Sequence, residues 1–278
     1  MARNNFRIAV LADIHYGPNK GTLPGREALE RLEEWVQSVN AELHPDLVVD
    51  LGDRINSENP AVDYERMQSL AGIFSRLVCP WYGIHGNHDL DNLDKAQCEK
   101  ALGKPLGNQF VDLNGYRLVF LDSQDPVIEG IGGHVSKSSL SWLHSTVDSA
   151  EGPCIVFVHQ AVDDHDLSDN IHFNDISDMA YIKNKDAVHK ILSDQAVKVI
   201  LNGHLHRGAP RSNESRLYLT VPSFTDSWND KGRHPSAFTV LEVTPERIII
   251  DHHRSLFHKE IERISVDICV TSQEEGKK

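Results

Sequence analysis

The sequence predicts an α/β protein that gathers its polar chemistry at the ends of its strands. Two observations carry this. From Phe6 to Asp89, apolar strand-like runs alternate with stretches whose apolar residues recur at helical spacing. That β-α-β-α-β order is the signature of parallel strands joined by helices. Five polar clusters also stand directly after apolar runs: Asp13 with His15, Asp53, Asn87 with His88, His159, and His204 with His206. The strand ends of such sheets are where sites collect.

The elements follow in order. Phe6–Ala12 reads as a buried strand closed by Asp13-Ile14-His15, and Gly17, Pro18, Gly21, Pro24 and Gly25 mark a loop. From Glu27 to Ala41, Leu29, Leu32, Trp35 or Val36, and Val39 line one face of an amphipathic helix. Asp46–Leu51 is a valine-rich strand ending in Gly52-Asp53, and Asp63–Leu77 is a second helix with Met67, Leu70, Ile73 or Phe74, and Leu77 on its stripe. The run Val78–Ile84 leads to Gly86-Asn87-His88-Asp89, where glycine lets the backbone turn sharply off a strand.

Asn114-Gly115 between Gln109–Leu113 and Tyr116–Leu121 is a two-residue hairpin signal. Ser136 or Ser138 caps a helix carrying Leu140, Trp142 or Leu143, and Val147. Cys154–Val158 is a buried strand ending in His159. Asp163–Asp178 has no period and is dense in Asp, His and Asn; loops of this length are often functional. A helix over Lys183–Leu192 leads into the strand Val197–Leu201, which stops at Gly203-His204-Leu205-His206. The remainder, from Arg216 to about Val270, is strand-rich with breaks at Pro222, Pro235 and Pro245. No repeat or linker interrupts the chain, so residues 1–270 read as a single domain and 271–278 as a disordered polar tail.

Composition narrows the partners. A net charge of −13 without a lysine- or arginine-rich run argues against long nucleic acid. No apolar run approaches the ~20 residues of a membrane helix, so no membrane partner is expected. Cys79, Cys98, Cys154 and Cys269 are far apart and form no CxxC pair, which suits buried thiols in a reducing compartment. With no signal-peptide pattern at the N-terminus, the cytoplasm is the expected location.

The clusters supply two carboxylates, an amide oxygen and four imidazoles once His88 is set aside. Nitrogen and oxygen donors without thiolate suit divalent transition ions, and the imidazoles rule out a pure oxygen cage for Ca²⁺. One ion takes about three to five protein ligands, so this set suits two ions with one shared carboxylate. In an extended segment, residues i and i+2 point the same way. Asp13 and His15, or His204 and His206, can then face one cluster while Ile14 or Leu205 packs inward. Each piece alone has an ordinary explanation: a chance D-x-H, a turn at Gly-Asp, a satisfied strand-end histidine. The ordered set does not.

Taken together, Asp13-Ile14-His15, Gly52-Asp53, Gly86-Asn87-His88-Asp89, His159 and Gly203-His204-Leu205-His206 resemble the calcineurin-like metallophosphoesterases. The stretch Leu118–Ser123 through Trp142-Leu143 resembles their bacterial branch of class III cyclic-nucleotide and glycerophosphodiester phosphodiesterases. The resemblance implies a four-layer α/β/β/α sandwich with two facing mixed sheets. It implies two metal ions (Mn, Fe or Zn), the first on Asp13, His15 and His206, the second on Asn87, His159 and His204, bridged by Asp53. It also implies attack on phosphorus by a hydroxide between the metals, with His88 as the catalytic group that serves the leaving oxygen.

Three positions depart from the family pattern. Asn56 stands where many members carry an aspartate that orients the catalytic histidine; a neutral partner supports imidazolium less. Arg54 replaces an apolar residue after Gly-Asp and reads either as a substrate-phosphate contact or as a surface ion pair. His159-Gln160-Ala161 replaces the His-His-Pro-Pro common in the phosphodiesterase branch. Asp89, beside His88, is a further candidate to touch substrate or to support a ligand from behind, and the loop Asp163–Asp178 is expected at the pocket mouth. The leading expectation is a phosphodiesterase acting on a small-molecule phosphoester. A phosphomonoesterase or nucleotide pyrophosphatase on the same site comes second, and a non-catalytic scaffold third. Pairing of the strand-rich C-terminal part with a second copy, giving a homo-oligomer, is the remaining partner expectation.

Overall fold

A computed structural model describes residues 5–164, 166–208, 210–213, 216–228, 231–255 and 261–267. The polar tail and Cys269 lie outside these residues. The chain begins with β1 (Phe6–Leu11), α1 (Ala28–Ser38), β2 (Leu47–Asp50), α2 (Pro60–Phe74) and β3 (Trp81–Gly83). The α1 helix buries Ala28, Leu32, Trp35 and Val36, close to the expected stripe, and then widens into a looser turn over Val39–Leu43. The α2 helix starts three residues before the expected Asp63, because Asn59 accepts a hydrogen bond from Val62 N–H and Pro60 supplies a helical φ in the first turn.

The periodic pattern missed α3 (Lys95–Leu102). Its start is marked by chemistry: Asp94 accepts from Gln97 N–H while the Gln97 side chain reaches back to the Asp94 backbone, a capping box. The hairpin strands β4 (Gln109–Leu113) and β5 (Tyr116–Leu121) have the bounds read from sequence. Asn114 and Gly115 both take positive φ, 48° and 84°, as the tight hairpin turn requires.

A short pair, β6 (Gln124–Asp125) and β7 (His134–Val135), precedes α4 (Lys137–Asp148), which Ser136 caps. Then come β8 (Cys154–Val158), α5 (Lys185–Leu192), β9 (Val197–Asn202), β10 (Arg211–Asn213), β11 (Arg216–Thr220), β12 (Phe238–Val243), β13 (Arg247–His253) and β14 (Ile261–Asp267).

Two six-stranded sheets result. The first runs β14-β13-β12-β1-β2-β3, the second β10-β11-β9-β8-β5-β4. The strands β1, β2 and β3 are parallel, as are β5, β8, β9 and β11; the outer strands pair antiparallel. Between the sheets lies one apolar core that includes Ile8, Val10, Val49, Phe120, Phe157, Leu201 and Leu241. Tyr82 of the first sheet stacks on Phe120 of the second at 5.1 Å, and Phe120 on Phe157 at 5.3 Å. Helices α1, α2 and α3 cover the outer face of the first sheet, and α4 and α5 that of the second. This is the four-layer α/β/β/α sandwich. Full burial of each such aliphatic or aromatic side chain contributes about 1.5–3 kcal/mol, so the layering is set by apolar burial on both faces of each sheet. Among the described residues no helix is long and apolar enough to cross a membrane.

Candidate metal centre

The carboxyl ends of β1, β2 and β3 meet those of β8 and β9 along one edge of the sandwich, and backbone bonds tie them there. His204 N–H donates to both Asp13 carboxylate oxygens, at 3.0 and 3.1 Å, and the His159 ring nitrogen Nδ1 donates to the Leu51 carbonyl at 2.7 Å. Each bond joins one sheet to the other. Two glycines set the closeness of the turns. A Cβ on Gly86 would lie 2.1 Å from the Asp53 nitrogen, and one on Gly52 would lie 2.4 Å from the Gly86 nitrogen. The Gly52-Asp53 and Gly86-Asn87 turns pack backbone against backbone, which no side chain permits.

Asp13, His15, Asp53, His204 and His206 all adopt left-handed backbone, with φ between 49° and 62°. The expectation of extended Asp-x-His and His-x-His segments is corrected by this. The pairs face a common centre because two left-handed residues flank each central one, not because the chain is a strand. Ile14 and Leu205 do pack inward and are fully buried. Left-handed φ on a residue other than glycine costs on the order of 1–3 kcal/mol and concentrates at functional sites.

Three groups of ligand atoms form among the described residues, the third being His172, His206 and Asp226. Donor atoms of Asp13, His15 and His206 lie within 4.8 Å of one another, as do those of Asp53, His159 and His204. His15, His159 and His204 are each hydrogen-bonded outward through one nitrogen, and His206 turns one nitrogen toward a carboxylate. The His15 Nδ1 faces the Asn56 amide oxygen at 3.1 Å, and Asn56 is itself oriented by its amine donating to the Pro18 carbonyl at 2.9 Å. His159 uses Leu51, His204 donates Nε2–H to the Met179 carbonyl at 3.0 Å, and His206 Nδ1 lies 3.4 Å from the Asp226 carboxylate. The remaining ring nitrogens point inward. His15 Nε2 and His206 Nε2 stand 3.0 Å apart in this way.

Asn87 completes the second group. Its inward amide atom is 3.2 Å from His159 Nε2 and 3.0 Å from His204 Nδ1. Those contacts alone would also allow the amine at that place. Two neighbours pull opposite ways: the Ile131 carbonyl, 3.3 Å away, suits the amine, whereas the Gln160 amine, 3.2 Å away and donating to that same carbonyl, suits the oxygen, as would a cation. Outward tethers with converging ring nitrogens are how proteins hold histidines for a cation. The donor set therefore fits two cations.

Electrostatics agree with neutral, ligand-ready rings. Burial holds His15 well below the usual imidazole range, His204 at about 3, and His206 below its ordinary value. His159 differs: burial opposes its charge, but Asp53 at 3.3 Å outweighs that and raises it to about 9. A cation held there would displace a proton. The Asp53 charge also acts on His15 and His206, so its field spans both groups.

His88 stands at the rim with its side chain 31 % exposed, its ring 5.4 Å from that of His15. Its partner is not Asn56, which is turned to His15. Asp91 fills that role, with its carboxylate 2.9 Å from His88 Nδ1. Burial disfavours charge on His88, but Asp53 and Asp91 together raise its pKa. The expected weakening through a neutral partner is thus removed by a carboxylate one turn further on.

Arg54 is neither at the surface nor open to substrate. It is fully buried, with Nε 2.6 Å from Asp50 and Nη1 2.6 Å from Asp89. Asp89 also accepts from the backbone of Arg54 at 2.7 Å and of Gly86 at 3.0 Å, so this pair locks the two glycine turns together. Sequence reasoning missed His172 and Asp226. Asp226 accepts from His172 Nε2 at 3.0 Å, and despite burial its histidine partners hold it well below the carboxylate range. His172 sits in the unpatterned loop, and nothing in the local sequence marks Asp226.

A family model described as calcineurin-like phosphoesterase matches residues 6–208. The chain belongs to that family, a class of metal-dependent phosphoester hydrolases. Among individual proteins it is similar to the 3′,5′-cyclic adenosine monophosphate phosphodiesterase CpdA of Pseudomonas aeruginosa, with 27 % identity over 78 % of this chain and 75 % of that one. It is also similar to a cAMP/cGMP dual specificity phosphodiesterase of Mycobacterium tuberculosis, with 25 % identity over 89 % of this chain and 79 % of that one. Across six such relatives the chain spans between 54 and 81 % of the relative's length. A dimetal phosphatase from Danio rerio shares the fold, with a TM-score of 0.76, 17 % identity, and coverage of 94 % of this chain and 98 % of that one.

Proposed function

We propose that the protein hydrolyses a small-molecule phosphodiester of the cyclic-nucleotide class with two transition cations, Mn, Fe or Zn. Asp13, His15 and His206 hold one; Asn87, His159 and His204 hold the other; Asp53 is shared. The observation that carries this is the convergence of ligand atoms: those of Asp13, His15 and His206, and those of Asp53, His159 and His204, each lie within 4.8 Å of one another. His15 and His206, with ring nitrogens 3.0 Å apart, can share one proton as a hydrogen bond, and a cation would take that proton's place.

When bound, the cations lower the pKa of water toward about 7 and offset charge on the phosphoryl oxygens. The chain does the rest. Asp13 and Asp53 place anionic charge where the cations bind, and the Gln160 amine favours the Asn87 oxygen there. His88, at the rim, gives a proton to the leaving oxygen, and Asp91 orients its ring and supports the charged form. The cyclic-nucleotide class is suggested by the two named relatives.

The test is hydrolysis after chelation and re-addition of Mn²⁺, with 3′,5′-cyclic AMP, 3′,5′-cyclic GMP, bis-p-nitrophenyl phosphate and mono-p-nitrophenyl phosphate. Diesters turning over faster than the monoester, only with metal, is the expected result. Preference for the monoester overturns the diester reading, and activity unaffected by chelation overturns the metal centre.

A further inference from the structure

We propose that the cleft beside His206 seats a planar ring of the substrate, stacked on Trp228 and hydrogen-bonded by Arg207. This rests on the phosphodiester reading and narrows it to diesters whose alcohol carries a nucleobase-sized ring. The cleft has a volume of about 200 Å³ and is lined in part by His206, Arg207, Ser223, Asp226, Trp228 and His252. That is below the ~300–1,000 Å³ of a site enclosing a whole ligand, and it suits one ring system projecting from a phosphate held elsewhere.

Two side chains in it are poorly explained by the fold alone. Trp228 leaves 51 % of its surface exposed, although burying an indole stabilises a fold strongly. The Arg207 guanidinium lies 5.4 Å from the Trp228 ring centre. Its Nε and Nη2 are buried without a hydrogen-bond partner among the described residues; the nearest carboxylate, Asp226, is 3.8 Å from Nη2. Buried donors left unpaired are costly, and the guanidinium, whose residue lines the cleft, would turn toward an acceptor on a bound ring.

The seat is also linked to the candidate metal centre. The Trp228 backbone N–H donates to one Asp226 oxygen at 3.1 Å, and the other oxygen lies 3.4 Å from the His206 ring. One carboxylate therefore sets both the stacking residue and a predicted ligand. A lone phosphate would pair with Arg207 but use the indole only through its contact with the guanidinium. A purely apolar group would use the indole and leave the guanidinium unpaired. A heteroaromatic ring uses both.

Two measurements on the full chain test this. In the first, AMP and ribose 5-phosphate are titrated into Mn²⁺-loaded protein while tryptophan fluorescence is followed. AMP should quench, ribose 5-phosphate should not, and Trp228→Leu should abolish the AMP quench while Trp228→Phe retains AMP binding by calorimetry. In the second, Trp228→Leu and Arg207→Gln should raise KM for 3′,5′-cyclic AMP roughly ten- to hundredfold, the range of a lost base stack. Because the contact is made equally before and during reaction, kcat should hold within about twofold. Glycerophosphocholine, a diester without a ring, should show no change in any variant it reports on. Equal quenching by both phosphates, or an unchanged KM in Trp228→Leu, overturns the seat and leaves the hydrolase reading standing. A ring-specific quench in a protein that cleaves no diester supports the seat and removes the reaction instead.

Discussion

At the scale of single residues, the centre depends on groups that touch no substrate. Asp226 holds His206 from behind, as Asn56 holds His15. Removing such an outer partner commonly costs 10–100-fold in metal affinity. Asp226→Asn should therefore weaken Mn²⁺ binding roughly ten- to hundredfold, read by competition with a chelator. His88 behaves oppositely. His88→Ala should keep its metal content and lose at least about a hundredfold in rate on esters with poor leaving groups, with little loss on p-nitrophenyl esters; unchanged turnover on the poor leaving groups would remove it from the mechanism. The seven ligand candidates were legible because each follows a strand within a short fixed motif. Asp226, His172 and Gln160 were not, since their roles arise from contacts through space across 54 residues between His172 and Asp226 and 73 between Gln160 and Asn87.

At the scale of elements, the two glycine turns after β2 and β3 act as one unit because Arg54 is pinned between Asp50 and Asp89. Breaking a buried ion pair from one side costs about 3–5 kcal/mol. Arg54→Met should lower stability by about that amount in urea unfolding, a far larger effect than a surface pair allows. The sequence announced helices through their apolar stripes and the hairpin through Asn114-Gly115. It hid α3, whose eight residues give too short a stripe for periodicity, and it misplaced the start of α2, where a cap rather than an apolar residue begins the helix.

At the scale of the whole molecule, sheet order was the least legible feature. β1 lies between β2 and β12, a strand more than two hundred residues away, and no local pattern encodes that neighbour. Family resemblance supplied the facing sheets; the residues alone supplied only parallel strands. Global stability should respond to pH through histidines outside the centre. His234 is buried and its pKa is pushed down to about 3, and His252 to about 4, burial being the main cause in both. A lowered pKa means the fold favours the neutral ring. Stability from these groups is then complete above the unfolded value near 6.5 and is lost as pH falls toward 4. His234→Phe should flatten unfolding free energy against pH by about 1.4 kcal/mol per unit in that window, measured with chelator present. Saturating Mn²⁺ at neutral pH should raise the unfolding free energy by about 2.7 kcal/mol per site at a hundred times the dissociation constant.

The left-handed backbone at Asp13, His15, Asp53, His204 and His206 sets durability against turnover. Glycine relaxes at those dihedral angles, so His206→Gly, which leaves the Asp13 tie between the sheets intact, should yield an inert protein that survives heating better than its parent when no cation is supplied. Bred for heat resistance alone, this molecule would shed its chemistry before its shape.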